Sequence, residues 1–417
     1  MTNRRLLGRF DMTCLGINTI VGSSIFLFPG TLAGLLGPAS ILSFGLTGLL
    51  LISVGLCFAE AAAHFDRPGG SYLYAQAAFG EAAGFGVGWM CWVTQVLGWA
   101  AVANGIAVYL GFWGEVWMKP ALVKGVAVLV ILALGTVNYR GVRPGAAASN
   151  FFTAAKLIPL GILVLVGLPS LRGARLAPFA PHGWAPMGKA CFMAYFAFQG
   201  FESVPVPSGE VDEPHRNVPF AVVASMLTAT FLYMLVQTVV VGAFRGAEMS
   251  RWPLADAAAA LVGPGGAAFM VLGAVASMVG YNASAALVSP RYLEALALDA
   301  HLPAWFAARH PVFDTPYRAV WATTAATLAA AVVFDFNKLV DFSNVVVSVQ
   351  YLATCAAVPL LRMNRPAGPL RLPGGLLVPV LGIAATLWLG MQGGLAELGW
   401  SVAVLLLGFA LRAASRR

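Results

Sequence analysis

Charge is what this sequence has least of: 10% of its 417 residues are Asp, Glu, Lys or Arg, where a soluble domain carries about 25%. With 59% hydrophobic residues and a mean hydropathy of +0.80, that scarcity excludes a soluble globular protein and leaves an all-α polytopic membrane protein. Cysteine is sparse as well. Cys14, Cys57, Cys91, Cys191 and Cys355 fall singly inside apolar runs without metal-ligand spacing, which excludes a disulfide framework and leaves small buried hydrophobes. The 25 basic residues outnumber the 17 acidic ones, yet they are scattered and form no stripe of the kind a phosphate backbone needs, so no nucleic-acid partner is expected. No HExxH, GxSxG or GxxxxGK followed by Ser or Thr occurs, and His64, His182, His215, His301 and His310 fall between the apolar runs. Neither an enzyme, a metal site nor a cofactor is expected.

What is present is a series of long apolar stretches. Taking about 20 apolar residues as one span, the chain reads as twelve transmembrane helices over residues 10–36, 39–63, 83–112, 122–139, 148–168, 187–208, 218–243, 265–296, 318–334, 338–361, 376–392 and 395–412. The connections are short and polar or proline-rich, so residues 1–417 are expected to form a single integral membrane domain. Arg4, Arg5 and Arg9 precede the first run like the basic region of a signal peptide. The run is too long, however, and lacks a small-x-small cleavage site, so it is read as an uncleaved first helix. With the N-terminus inside, sixteen basic residues, from Arg4 and Arg5 to Arg416 and Arg417, fall on the cytoplasmic side, and eight, from Lys119 to Lys338, on the other. That asymmetry predicts cytoplasmic N- and C-termini. Lys156, the remaining basic residue, lies within a span.

The first span is interrupted. Residues 16–30 read GINTIVGSSIFLFPG, with Gly22, Ser23 and Ser24 at the middle of the apolar run. Unpaired backbone in hydrocarbon costs several kcal/mol per group, so such a break is tolerated only where protein, water or a ligand satisfies it. A second interruption occurs in the sixth span, CFMAYFAFQGFESVPVPS over residues 191–208, with Gly200 at its centre and Pro205 and Pro207 beyond. Two interrupted spans at corresponding places in two halves predict an inverted-repeat transporter with its site at mid-membrane. The repeats would cover about 10–168 and 187–361, leaving two extra helices over 376–412.

A broken helix exposes N–H groups carrying about half a positive charge at one new end and carbonyls carrying about half a negative charge at the other. That pair is complementary to a zwitterion. N–H groups near Gly22, Ser23, Ser24 and Ile25 would hold a carboxylate, the serine hydroxyls adding donors. Carbonyls of Thr19 and Ile20, with those before Gly200, would accept from an ammonium group. The competing explanation is that these small residues only let helices pack closely. Phe196, Phe198, Gln199 and Phe201 flank the second break, where an aromatic ring could close over a substrate. Two ionisable groups lie inside spans, where they are costly and usually functional. Glu202 follows the second break, either as a proton-handling group or as an acceptor that satisfies the freed backbone. Lys156 lies about 12 Å into the fifth span, able to snorkel to the interface or to act as a buried cation or proton carrier. Gln95, Asn104, Asn282 and Ser284 read as helix-to-helix hydrogen-bonding groups.

These residues resemble the amino acid-polyamine-organocation transporters. Residues 16–30 are similar to that family's first-helix signature, a Gly-Ser-Gly-Ile-Phe core followed by Pro-Gly. Residues 58–89, with Pro68-Gly69-Gly70, Tyr72 and Tyr74, are similar to its second and third helices. FAFQGFES through EVDEPHRNVP, residues 196–219, resembles its broken sixth helix and the acidic loop behind it. Arg291 with Asp299, Leu302-Pro303 and Thr315-Pro316 looks like the loop after its eighth helix. The resemblance implies a LeuT-type fold, five plus five inverted helices and two more, moving amino acids by alternating access. It implies a substrate carboxylate on the amides of Gly22, Ser23 and Ser24 and an amino group on carbonyls around Ile20 and Phe196 to Phe198. FFTAAKLIPLGI, residues 151–162, is similar to the fifth helix of members that carry a lysine where sodium-coupled relatives hold an ion, which implies a coupling role for Lys156 and no sodium dependence. Three departures stand out. Ser24 replaces a glycine and adds a side chain at the carboxylate site. Glu213-Pro214 replaces Asn-Pro, and Pro205 and Pro207 follow the sixth-helix break.

The expected function is a secondary transporter of amino acids in the cytoplasmic membrane, for neutral substrates and by proton coupling or exchange. The alternatives are a cationic amino-acid or amine exchanger, with Glu202 facing the extra ammonium, and a non-transporting amino-acid sensor. A sensor would be expected to carry a soluble domain or long tail.

Overall fold

A computed structural model of the chain describes residues 7–65, 69–141, 146–208, 211–364 and 370–415. Of the sixteen basic residues placed on the cytoplasmic side, Arg4, Arg5, Arg67, Arg143, Arg365, Arg416 and Arg417 lie outside the described residues, as does Pro68 of the Pro-Gly-Gly motif.

Apolar runs fold as helices here because hydrocarbon offers the backbone no partner but itself. Every one of the twelve stretches is matched by helix. The first is split into α1 (Arg9–Ile20) and α2 (Ser24–Leu36). The next four are α3 (Ser40–Ala62), α5 (Glu81–Leu110), α6 (Pro120–Tyr139) and α7 (Ala146–Gly167). The sixth begins as α8 (Met187–Phe198). The rest are α9 (Pro214–Ala243), α11 (Pro264–Leu298), α12 (Tyr317–Val333), α13 (Phe336–Asn364), α14 (Leu377–Gly390) and α15 (Leu395–Ser415). Two short helices, α4 (Ser71–Phe79) and α10 (Pro253–Val262), occupy connections that read as loop. Among the described residues no strand forms, and Leu7 and Val211 make one isolated bridge. Eight of the described helical stretches are long and apolar enough to cross a membrane; α12 and α14, with 17 and 14 residues, are shorter. The chain is a nearly all-helical, multi-pass membrane protein.

The sixth stretch departs from the expected span. After Phe198 the α-helix does not resume. A 3-10 turn over Phe201–Ser203 is followed by i→i−3 bonds from Val204, Val206 and Ser208 to Phe201, Ser203 and Pro205. Pro205 and Pro207 have no N–H to donate, so the i→i−4 ladder cannot be rebuilt across them. Glu213 then takes a left-handed conformation, φ 41°, ahead of Pro214 at the start of α9, a backbone state that asparagine adopts at less cost than glutamate. His215 falls in the first turn of α9, and its ring meets the Ala63 carbonyl at 2.8 Å.

Small residues set the helix contacts, as expected where lipid supplies no hydrophobic drive for association. Gly48 and Gly55 of α3 lie directly against Thr230 and Met226 of α9, and Gly16 of α1 against Ser225. A second body forms where α5 packs along α11 and α13. At the end of α13 the buried Arg362 guanidinium reaches Glu60 of α3 at 2.6 Å, and the Leu372 N–H also donates to that carboxylate. Lys124, at the start of α6, donates to the carbonyls of Ala331 and Phe334 at 2.6 Å each, a cation at the negative end of α12. The five cysteines are free and buried.

Candidate functional site

α1 ends at Ile20 because Gly22, Ser23 and Ser24 offer little helix propensity and the chain turns through Val21, φ −79°, ψ 85°. Of the carbonyls so released, those of Asn18, Ile20, Val21 and Gly22 are held from neighbouring helices. Lys156 of α7, fully buried, donates through Nζ to the carbonyls of Asn18 at 3.0 Å and Val21 at 2.6 Å. Its ammonium thus sits at the negative end of α1 and does not snorkel to an interface. Ser277 Oγ of α11 donates towards Val21 O at 2.9 Å and Gly22 O at 3.2 Å. The Tyr233 hydroxyl of α9 lies 3.2 Å from Ile20 O and 3.0 Å from Ala197 O, joining the ends of α1 and α8. Thr19 Oγ1 donates back to Leu15 and Gly16 carbonyls.

The opposite end of the break is different. α2 begins at Ser24, with Ser23 as its N-cap and no side-chain cap. Phe26 and Leu27 donate to Ser23 O, while the N–H groups of Ser23, Ser24 and Ile25 meet no backbone acceptor among the described residues. Ser23 Oγ is buried and likewise has no hydrogen-bond partner among them. Unpaired donors at a helix N-terminus, in a protein interior, are an arrangement able to take an anion.

At the second break a carboxylate of the segment itself and groups from α9 and α13 supply the partners. Gly200 adopts φ 126°, a conformation open to glycine, and its face is so close to Thr19 that a Cβ would collide with the Thr19 carbonyl. Glu202 is buried, and its Oε2 accepts from the Gly200 N–H at 2.8 Å and the Tyr351 hydroxyl at 2.9 Å. Gln199 turns towards α13, donating to Asn344 Oδ1 at 2.7 Å and accepting from Ser343 Oγ at 2.8 Å. The three phenylalanines part company. Phe198 packs on Tyr233, and Phe201 on Phe58 and Tyr351. Phe196 joins Phe28 of α2 and Phe336 of α13 in a three-ring cluster with centroids 5.9–6.4 Å apart.

Between the two breaks lies a cavity of about 10 Å³, the room of one water, lined by Thr19, Gln95, Gly200, Ser203, Tyr281, Ser284, Ala285 and Val288. Gln95 Nε2 bonds Ser203 Oγ at 3.1 Å and Asn18 Nδ2 bonds Ser284 Oγ at 3.0 Å, so Gln95 and Ser284 make the helix-to-helix bonds expected of them. Asn104 does the same onto Ala331 O at 3.2 Å; the Asn282 amide has no partner among the described residues. The structure therefore brings Thr19, Gly200 and the start of α2 together, with Lys156 behind them. Sequence reasoning missed Asn18, Tyr233, Ser277, Tyr281 and Tyr351. A signal was available for the tyrosines, which lie at helix middles and not in the interfacial belts where tyrosine is ordinarily placed.

The helices and the buried polar break at their centre define a multi-pass membrane protein, and no group of three or more His, Cys, Asp or Glu able to hold a metal occurs among the described residues. The chain belongs to the amino acid permease family, whose model matches residues 7–393. It is 28% identical over 405 residues to the methylthioribose transporter of Bacillus subtilis, covering 92% of this chain and 87% of that one. It is 28% identical over 422 residues to the branched-chain amino acid permease BcaP of the same organism, with 95% and 89% covered. Cationic amino acid transporter 4 of Homo sapiens is also 28% identical, over 88% of this chain and 61% of that one. The family and these relatives are transporters, not enzymes.

Proposed function

We propose that this permease carries neutral L-amino acids across the cytoplasmic membrane by alternating access, with both termini cytoplasmic, and that it works without sodium, by proton coupling or exchange. The observation that carries the reading is the start of α2, where three N–H groups and the Ser23 hydroxyl await an acceptor in the protein interior. A substrate carboxylate supplies it. Its ammonium group meets the carbonyl side of the same break, beside Thr19 and the end of α8. The five-plus-five inverted repeat, with halves over about 10–168 and 187–361, is supported by the two interrupted spans and accounts for both meeting at one point. The sixteen-to-eight bias of basic residues supports the orientation.

Lys156 supports sodium independence. Its Nζ lies where a cation would otherwise satisfy the carbonyls of Asn18 and Val21, and coupling is assigned to it. Glu202 is read as the structural acceptor of the second break, since Gly200 and Tyr351 donate to its Oε2; this favours neutral over cationic substrates, which would need a carboxylate turned to the ligand.

Purified protein in liposomes, assayed for uptake of the twenty amino acids with pH and sodium gradients varied independently, tests this. Accumulation or exchange of neutral amino acids, indifferent to sodium, is expected. Failure to move any amino acid under any gradient sinks the proposal, and preference for arginine or lysine sinks its neutral part.

A further inference from the structure

We infer that Tyr281 sets substrate size, restricting this permease to amino acids with the smallest side chains, glycine, alanine and serine; the inference rests on the amino-acid reading above. Tyr281 stands midway along α11, and its ring covers the first break. A Cβ added at Gly22 would lie 3.4 Å from the ring, and one added at Gly98 of α5 would lie 2.5 Å from the hydroxyl. The ring therefore occupies the space that the absence of side chains at 22 and 98 leaves, wedged between the break and the facing helix.

That position controls where a substrate side chain can go. A carboxylate bound by the N–H groups of Ser23 and Ser24 places the substrate's Cα next to Gly22. Where Gly200 lies against the Thr19 carbonyl the two segments touch and leave no room for a side chain. Beside that contact, the cavity next to Tyr281 holds about one water, bounded by the Gln95–Ser203 hydrogen bond. Hydrogen, methyl or hydroxymethyl fits this space, and the hydroxyls and amide around it suit a serine. A branched or aromatic side chain has to displace the ring, and protein interiors resist such repacking. Tyr281 is thus a wall of the substrate chamber, a selectivity residue supplied by α11 rather than by either broken helix.

The test is uptake of labelled glycine, alanine, serine, leucine and phenylalanine, each measured separately, by liposomes carrying the unaltered protein or Tyr281→Ala. The unaltered protein is expected to take up the three small substrates and to discriminate against leucine and phenylalanine. Tyr281→Ala should raise the leucine-to-alanine uptake ratio by about tenfold or more, the scale at which a pocket discriminates by side-chain bulk. An unchanged ratio, or an unaltered protein that prefers leucine or phenylalanine to alanine, overturns the assignment. If Tyr281→Ala does not give a monodisperse protein, Gly98→Ala serves instead. Its methyl group crowds the Tyr281 hydroxyl, so alanine uptake should fall in Gly98→Ala and recover in Gly98→Ala combined with Tyr281→Phe. No recovery overturns the assignment. Absence of uptake of every amino acid by the unaltered protein overturns the permease reading and this inference with it, whereas uptake with the opposite size preference overturns this inference alone.

Discussion

The two broken helices of this permease solve the same problem in opposite ways. Both interrupt a helix in the protein interior, and both must satisfy the backbone they release. The second break supplies its own partner: Glu202, two residues past Gly200, bends back to accept that residue's N–H, with Tyr351 donating to the same oxygen. The first break recruits Lys156 and Ser277 from α7 and α11 for its carbonyl end, and leaves its N–H end open. The second break thus carries an acceptor of its own beside its glycine, whereas the N–H groups at the start of α2 have no backbone acceptor among the described residues.

The comparison can be broken most severely at the point where the two segments touch. Gly200→Ala forces a side chain into a positive-φ position and onto the Thr19 carbonyl. Strain of about 1–3 kcal/mol at such a site, with the collision added, should lower the unfolding temperature of the detergent-purified protein and abolish uptake. Normal stability and transport would mean that the two breaks are not in contact.

Next in size is Lys156→Ala, which strips the donor from two buried carbonyls at about 1–3 kcal/mol each. Uptake driven by a pH gradient should be lost while exchange between loaded liposomes, if it persists, becomes independent of pH. Gradient-driven uptake at the unaltered level in this variant would remove Lys156 from coupling and make both breaks purely architectural at their carbonyl ends.

Glu202 separates the two readings of the second break. Glu202→Gln keeps an oxygen that accepts from Gly200 and Tyr351, whereas Glu202→Ala removes it at about 1–3 kcal/mol. Thermal unfolding should therefore show a clear loss for the alanine variant and a smaller one for glutamine, with transport following stability. Loss of pH coupling in the well-folded glutamine variant would show instead that the carboxylate handles protons.

The smallest change sharpens the first break alone. Ser24→Gly gives up about 0.5 kcal/mol of helix propensity at the start of α2 and removes one side chain from the proposed carboxylate site. Stability should hardly move, and uptake of leucine relative to alanine should rise modestly, by less than in Tyr281→Ala. A larger rise than Tyr281→Ala produces would place the size limit on the broken helix itself.

Much of this was legible in the order of residues. Composition fixed the membrane class, and apolar run length located a helix in each of the twelve stretches, because hydrocarbon permits little besides helix. Gly22-Ser23-Ser24 and Gly200 marked the breaks because a helix interior disfavours such residues, and that preference is local. The sixth span was overextended for the complementary reason: hydropathy counts Pro205 and Pro207 as compatible with a span, while the backbone ladder does not.

Tertiary structure decided which groups meet. Lys156 and Val21 are 135 positions apart, Glu202 and Tyr351 149 apart, and hydrogen bonds at such separations follow from how helices pack, which no local pattern encodes. Nearness to a break marks Gln199, Phe198 and Phe201 as ligand candidates, and packing sets them beside Asn344, Tyr233 and Tyr351. Tyr281 carried no mark in the sequence beyond being a tyrosine at mid-helix, and takes the place proposed for it only because glycines at 22, in the first break, and 98, on α5, leave space for its ring. The sequence by itself determined where the chain breaks; only the packing of distant helices decided which break remains open, because an unpaired group is defined by the neighbours that fail to reach it.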